Sequence, residues 1–273
     1  MIWPFGPRRR LAVDAATIEG LTPTQPWLDR LSMPERERLA ALMAEFLTVK
    51  TLTGVQGLKL SDDMRLAIAA QACLPVLHLS LLHYGTFNEV VIHPSCFEVR
   101  RTLTDDLGLV TEWDDVLSGE TLDGGPVVLA WDAAAGINPS DHETLAPGNV
   151  VIHEFAHKLD MADGEADGCP PMPPALARRW RPALEAAYLQ FCRQLDDLEA
   201  AIPTDIDPES EAADAWYAAL PIDPYAATDP AEFFAVGCEA FFTDDGAFAM
   251  AFPALHDCFV AYFRQDPALL RPL

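Results

Sequence analysis

The chain has 273 residues, half of them hydrophobic and 9% aromatic, a composition typical of globular proteins and not of disordered ones. It carries 42 acidic against 18 basic residues, and its formal net charge of -24 should repel nucleic-acid backbones, which argues against direct DNA or RNA binding. The six cysteines form no C-x-x-C pair, so neither a disulfide framework nor a zinc ribbon is indicated. Excess acid attracts metal cations and basic partners, although it is also typical of proteins that use it only for solubility.

Two stretches in the first ninety residues are candidate signals for export or membrane insertion, and neither fits. The first twenty residues include three arginines in a row but no apolar segment after them, so we predict no signal peptide. The run 66–88 lacks Asp, Glu, Lys and Arg, yet Gln71, Pro75 and Gly85 interrupt it, which favours a buried helix over a membrane span. We therefore expect a cytoplasmic protein without a membrane partner.

The first ninety residues are predicted to be mainly helical. Residues 1 to about 30, with four prolines, are interpreted as an irregular arm. Ser32 to Glu35 form a capping-box pattern, and the helix that it opens has an amphipathic stripe. The stripe consists of Leu39, Leu42, Met43, Phe46 and Leu47. A second helix should begin at Ser61 and be kinked or divided at Pro75.

Short β-branched runs follow, and then helices again. Residues 89–93, 96–103 and 126–131 predict strands of a small sheet. Asn149 can cap a helix over about 150–162 that Gly164 would end. A long helix, an acidic proline-containing segment at 196–230, a helix opened by Asp229-Pro230 and a last helix complete the chain.

This order of elements predicts an α+β fold that is mostly helical with a small mixed sheet. We expect a single domain over 1–273, with a helical part at 1–88 and the sheet and remaining helices at 89–273.

The strongest chemical signal is the sequence His153-Glu154-Phe155-Ala156-His157 on the predicted helix 150–162. Residues four apart lie on one face of a helix, so both imidazoles can bind one Zn²⁺ ion. Glu154 lies at the flank, where it can act as general base toward water activated by the metal. The pattern predicts a zinc peptidase, whereas two histidines that only hydrogen-bond within a core are the less favoured interpretation.

A catalytic zinc needs a third protein ligand, which must come from elsewhere in the chain. No histidine follows shortly after His157, so a carboxylate from a second helix is expected. Glu232 and Glu239 are both candidates, since residues seven apart share a helix face. Glu232 could instead complete a capping box with Asp229. Glu239 could instead accept a hydrogen bond from a ligand imidazole. Asp160, one turn beyond His157, could orient a histidine in the same way or be a solvated helix-end carboxylate.

The stretches VVIHEFAHKLDMADG and DPYAATDPAEFFAVGCEAFF resemble the Mlc titration factor A family of bacterial zinc metallopeptidases, and the resemblance extends over most of the chain. The family's catalytic core is similar to the protease domain of anthrax lethal factor, which implies a zincin-like core. The resemblance implies that His153, His157 and Glu232 bind one zinc ion per chain and that Glu154 is the base. It also implies that Tyr225 donates a hydrogen bond to the developing oxyanion.

The same resemblance implies a cytoplasmic, aminopeptidase-like enzyme that cleaves peptides and binds the glucose repressor Mlc. One departure from the lethal factor core is Val236, which stands where that core has a second acid, while Glu239 follows three residues later.

Two functional hypotheses therefore stand. In the first, the protein is a zinc peptidase, and the strand within 126–131 lies at the cleft edge and pairs with an extended peptide. In the second, it is an acidic binding module that sequesters a transcriptional repressor, and zinc is structural or regulatory. Glu154 favours the enzyme, because a structural zinc site needs no base and prefers four protein ligands.

Overall fold

The computed structural model describes residues 11–104, 110–136, 148–208, 210–243 and 246–267. Its N-terminal part contains helix α1 (Ala15–Leu21), a 3₁₀ turn (Pro26–Arg30), helix α2 (Met33–Val49), strand β1 (Thr51–Gly54) and helix α3 (Asp62–Cys73). Residues 11–30 are thus not the irregular arm that was predicted. Asp14 accepts a hydrogen bond from the Thr17 backbone N–H at 2.9 Å, and this cap starts α1.

The two predicted helix starts in this region are confirmed. The backbone N–H of Ser32 donates to Glu35 Oε2 at 2.9 Å, as a capping box requires. The N–H of Met64 donates to Ser61 Oγ at 3.2 Å. Helix α3 ends at Cys73, two residues before Pro75, because proline cannot continue the helical hydrogen bonds.

The strands form one mixed four-stranded sheet and one separate hairpin. The later strands are β2 (Glu89–His93), β3 (Phe97–Thr104), β4 (Val110–Leu117), β5 (Gly119–Thr121) and β6 (Val127–Ala130). The sheet has the order β1-β2-β6-β5, in which β1, β2 and β6 run parallel and β5 is antiparallel to β6. Strands β3 and β4 pair with each other. The α+β class with a small mixed sheet is therefore confirmed.

The prediction that the strand within 126–131 pairs with a peptide at the cleft edge is wrong. Strand β6 has β2 on one side and β5 on the other, so both of its backbone edges are already hydrogen-bonded. Its continuous apolar sequence is typical of an interior parallel strand and not of an edge. Strand β1 also belongs to the sheet, so the 1–88 part contributes more than helices.

The remaining elements are helical. They are α4 (Trp131–Ala134), α5 (Val150–Asp160), a 3₁₀ turn (Met161–Asp163), α6 (Pro174–Glu199), a 3₁₀ turn (Glu211–Ala213), α7 (Asp214–Tyr217), a 3₁₀ turn (Pro224–Ala227), α8 (Pro230–Thr243), α9 (Ala247–Ala251) and α10 (Pro253–Phe263). Gly164 follows the 3₁₀ turn Met161–Asp163 and has φ 96°, the left-handed conformation that commonly ends a helix. The predicted helix at 150–162 and its end are therefore confirmed.

Helix α5 lies at the centre of the molecule, between the sheet and α8. Its residue Phe155 is fully buried, with its ring centre 5.7 Å from that of Phe46, 5.0 Å from that of Tyr84 and 5.8 Å from that of Phe87. One side of α5 is thus fixed in the apolar core, and its other side faces α8. Among the described residues, no helix is both long and apolar enough to cross a membrane.

Candidate metal centre

The two histidines of α5 point to one place. The side chain of Asn149 accepts a hydrogen bond from Ile152 N–H at 2.9 Å, so the helix begins one turn before His153. The Nε2 atoms of His153 and His157 are 3.1 Å apart, as expected for residues four apart on one helical face. Local sequence alone therefore brings two metal-binding nitrogens together.

Glu232 reaches the same point from α8. Its Oε2 atom is 3.0 Å from His153 Nε2 and 3.3 Å from His157 Nε2. The capping position is filled by Asp229, whose side chain accepts the N–H groups of Ala231 and Glu232 at 2.8 and 2.9 Å. The Glu232 carboxylate therefore extends toward the histidines. Burial raises its pKa, but the adjacent imidazoles of His153 and His157 outweigh burial and hold that pKa far below its ordinary value.

These three side chains fit a zinc ion. Zinc bonds of 2.0–2.1 Å in a tetrahedron place neighbouring ligand atoms about 3.3 Å apart, and the three atoms here are separated by 3.0, 3.1 and 3.3 Å. Glu232 Oε2 is buried and accepts no hydrogen bond from the described residues, although two imidazole nitrogens lie beside it. A cation bound by all three atoms would satisfy this oxygen and both nitrogens. In the described part of the chain, this is the one group of three such side chains close enough to hold a metal.

Glu239 touches the site through His153. Its Oε1 atom lies 2.7 Å from His153 Nδ1, so the imidazole donates its Nδ1–H there and keeps the Nε2 lone pair for a metal. A methyl group on Gly148 would lie 3.3 Å from the Glu239 carboxyl carbon and closer still to Oε2. Burial lowers the pKa of His153, but the neighbouring carboxylates of Glu232 and Glu239 raise it well above the ordinary value. The structure thus brings both candidate glutamates to His153 in different roles.

Glu154 is held at the flank of the histidines. The residue is 5% exposed, and its Oε2 atom has no hydrogen-bond partner among the described residues. Burial raises its pKa, although His153 and His157 oppose the shift. A Cβ atom at position 119 of β5 would lie 2.7 Å from the Glu154 Cγ atom, so any residue larger than Gly119 would displace the Glu154 side chain. A buried carboxylate with a raised pKa suits a general base near neutral pH.

Tyr225 lies near the metal-binding side chains as expected, whereas Asp160 does not contact them. Tyr225 is 38% exposed in the turn Pro224–Ala227, with its ring centre 6.2 Å from that of His153, so it borders the site. Asp160 is fully buried, but its Oδ2 atom accepts the Gly168 N–H at 2.8 Å and no histidine. Burial raises its pKa to about 6. Asp160 therefore contacts the loop after α5, and neither a histidine nor solvent.

The other histidines lie elsewhere. His78 pairs with Glu35 at 3.4 Å, and His93 stacks on Phe97 with ring centres 4.5 Å apart. His142 lies outside the described residues. Sequence reasoning missed Gly119 and Gly148, because the side chains that pack against these glycines come from distant parts of the chain and are known only from the structure.

Comparison with known proteins agrees with this geometry. The family model for the glucose-regulated metallopeptidase M90 matches residues 8–264. Mlc titration factor A of Salmonella typhi is 38% identical over 252 residues, which cover 89% of this chain and 87% of the relative. The protein of the same name from Klebsiella pneumoniae is 39% identical over 247 residues, with 90% and 85% covered. The chain therefore belongs to the glucose-regulated metallopeptidase M90 family.

Proposed function

We propose that this protein is a zinc-dependent peptidase that hydrolyses peptide bonds with Glu154 as general base. The observation that supports it best is the convergence of His153, His157 and Glu232 beside the buried carboxylate of Glu154, one oxygen of which has no hydrogen-bond partner among the described residues. Three protein ligands leave a fourth position for substrate or water, which is the arrangement of catalytic and not of structural zinc.

The proposed chemistry divides among the described side chains. When bound, zinc supplies a Lewis acid that acidifies water and polarises a peptide carbonyl. Glu154 takes the proton of the attacking water and delivers it to the departing amine. Tyr225, at the border of the site, donates its phenol hydrogen to the oxygen on which negative charge develops. Glu239 holds His153 in the tautomer that leaves Nε2 free to bind metal.

We place the peptide along β5, which replaces β6 in the earlier expectation. Strand β5 has β6 as its only strand partner within the described residues, and its Gly119 lies against the base. An extended peptide that pairs with this edge would carry its backbone past Glu154. The aminopeptidase-like preference is a further part of the proposal and is supported by the family resemblance.

We also propose that the protein binds a repressor of the Mlc kind and works in the cytoplasm, where such a repressor acts. Support comes from the names of its relatives, Mlc titration factor A. The alternative, an acidic module that only sequesters the repressor, is supported by the net charge of -24. It gives no role to the buried Glu154 beside an open three-ligand site, so we rank it second.

The test is cleavage of an unbiased peptide mixture by zinc-loaded wild type and Glu154→Gln, with products read by mass spectrometry. We expect Glu154→Gln to bind one zinc and to lose activity at least about 100-fold, because general-base catalysis contributes that much. Glu185→Gln, the same change at an exposed position of α6, is the control and should leave activity intact.

The outcomes separate the two functions. Equal cleavage by Glu154→Gln and wild type would remove Glu154 from the chemistry. If neither protein cuts while both hold zinc, the sequestering module becomes the better account. The positions of the cuts distinguish an aminopeptidase from an endopeptidase.

A further inference from the structure

Lys158, the residue after His157, is buried and reaches away from the metal centre. It is 4% exposed, and its Nζ atom donates to Leu122 O at 2.7 Å and to Gly125 O at 2.9 Å. Both carbonyls belong to the turn that joins β5 to β6. Helix α5, which carries the metal-binding histidines, is thus hydrogen-bonded directly to the turn of the hairpin formed by β5 and β6.

The ammonium group of Lys158 is satisfied without an ion pair in the described part of the chain. Its three N–H groups can serve two carbonyls and the face of Phe87, whose ring centre lies 5.0 Å from Nζ. Burial lowers its pKa. A buried cation costs free energy unless it is well hydrogen-bonded, so these contacts must be kept for the residue to stay in place.

The same hairpin makes two contacts with Glu154. Thr121 Oγ1 donates to the backbone carbonyl of Glu154 at 2.9 Å, and Gly119 lies against its carboxylate. Lys158 is one helical turn beyond Glu154, so its two hydrogen bonds extend this row of contacts from β5 into the turn. Helix α5 therefore contacts the β5–β6 hairpin at three neighbouring points, two in β5 and one in the turn.

We propose that Lys158 is a positioning residue that fastens the β5–β6 turn to the active-site helix. Through the turn it holds β5 at the distance at which Gly119 leaves room for Glu154 and at which a peptide paired with β5 reaches the base. The inference rests on the proposed peptidase function, since it assigns β5 to the substrate.

The chain offers a matched control in Lys50. This lysine is also buried, donates from Nζ to Phe87 O at 2.5 Å, and lies 3.7 Å above the same Phe87 ring. Among the described residues, it donates no hydrogen bond to Leu122 or Gly125. Loss of either lysine removes a buried cation from Phe87, but only loss of Lys158 releases the turn.

The experiment compares wild type, Lys158→Met, Lys158→Arg and Lys50→Met, each loaded with zinc. Amide hydrogen exchange is measured for peptides that cover 119–127, and KM and kcat are measured on one substrate from the peptide mixture. We expect Lys158→Met to exchange at least about tenfold faster at the turn, because hydrogen bonds from a charged donor are lost. Its KM should rise more than its kcat falls, with one zinc still bound.

The two control variants define results that would contradict the proposal. Lys158→Arg keeps a cation with several donors and should retain more protection than Lys158→Met; if lysine only filled space, the smaller methionine would do better. Lys50→Met should leave exchange at the turn and KM near wild type. Equal effects of Lys158→Met and Lys50→Met, or unchanged exchange in Lys158→Met, would overturn the proposal. If Lys158→Met does not fold, Lys158→Gln takes its place; exchange at the turn no faster than in wild type would then overturn the proposal, and faster exchange would support it.

Exchange also separates this inference from the proposed function. If wild type cuts no peptide, faster exchange at 119–127 in Lys158→Met still shows the fastening, and only the link to substrate is lost. If wild type cuts and KM does not change despite faster exchange, the fastening has no role in substrate binding and the proposal fails.

Discussion

The two faces of α8 are built on different principles. One face carries Glu232 and Glu239, which reach His153 through contacts of 3.0 and 2.7 Å. The other packs aromatic rings: Phe234 lies 5.8 Å from Trp180 and 5.6 Å from Phe259 between ring centres. The aromatic face depends on area removed from water, whereas the carboxylate face depends on a few atoms at fixed distances.

This difference separates stability from function on a single helix. The aromatic side is fully buried and apolar, so each ring contributes to folding. The carboxylate side contains a buried oxygen atom, Glu232 Oε2, that has no hydrogen-bond partner among the described residues. Such atoms destabilise a fold unless a ligand satisfies them. The aromatic side of α8 thus contributes stability, whereas Glu232 on the carboxylate side contributes an oxygen that can bind metal.

The largest effect is expected from Phe259→Ala in α10, whose ring packs against the aromatic side of α8. Phe259 is fully buried between Trp180, Phe234 and Phe248, so its loss should lower the free energy of unfolding by about 3–5 kcal/mol. Urea unfolding measures this change, and zinc stoichiometry of the folded protein should stay at one. If zinc is lost in the folded variant, the two faces are not independent.

The converse change is Glu239→Gln, on the carboxylate side. The amide oxygen can still accept the His153 Nδ1–H, but the negative charge that strengthens the imidazole as a ligand is gone. We expect zinc affinity to fall about 10- to 100-fold, as for other partners of metal-binding histidines. Competition with a chelator measures the affinity. An unchanged affinity would show that Glu239 does not support His153.

The smallest effect is expected from Asp160→Asn, which tests a buried carboxylate of α5 that bonds only backbone. Its pKa of about 6 exceeds the ordinary aspartate value of 3.8, so the folded state binds more protons than the unfolded state between these values. Wild type should therefore lose stability as pH rises from about 4 to 6. Asp160→Asn has no carboxylate to ionise, so above pH 6 its free energy of unfolding should exceed that of wild type by about 1–3 kcal/mol.

Urea unfolding at several pH values measures the Asp160→Asn difference, with the exposed Asp197→Asn as control. Zinc affinity should not change, because Asp160 contacts Gly168 and no histidine. A pH-independent difference between wild type and Asp160→Asn would contradict the raised pKa. A large loss of zinc would mean that Asp160 orients a histidine after all.

The sequence by itself determined the features that depend on local geometry. The spacing of His153 and His157 places both imidazoles on one face because a helix repeats every 3.6 residues. The caps at Ser32, Ser61 and Asn149 follow from side chains that bond the first free N–H groups of a helix. These predictions needed no knowledge of distant residues.

Only the tertiary structure decided which distant groups complete the site. Glu232 and Glu239 share a helix face, so spacing could not say which one approaches both Nε2 atoms; the packing of α8 on α5 does. The order of strands likewise placed β6 inside the sheet and β5 beside the base. Periodicity indicates which face of an element is buried, but the partner of that face is fixed by contacts between residues far apart in the chain.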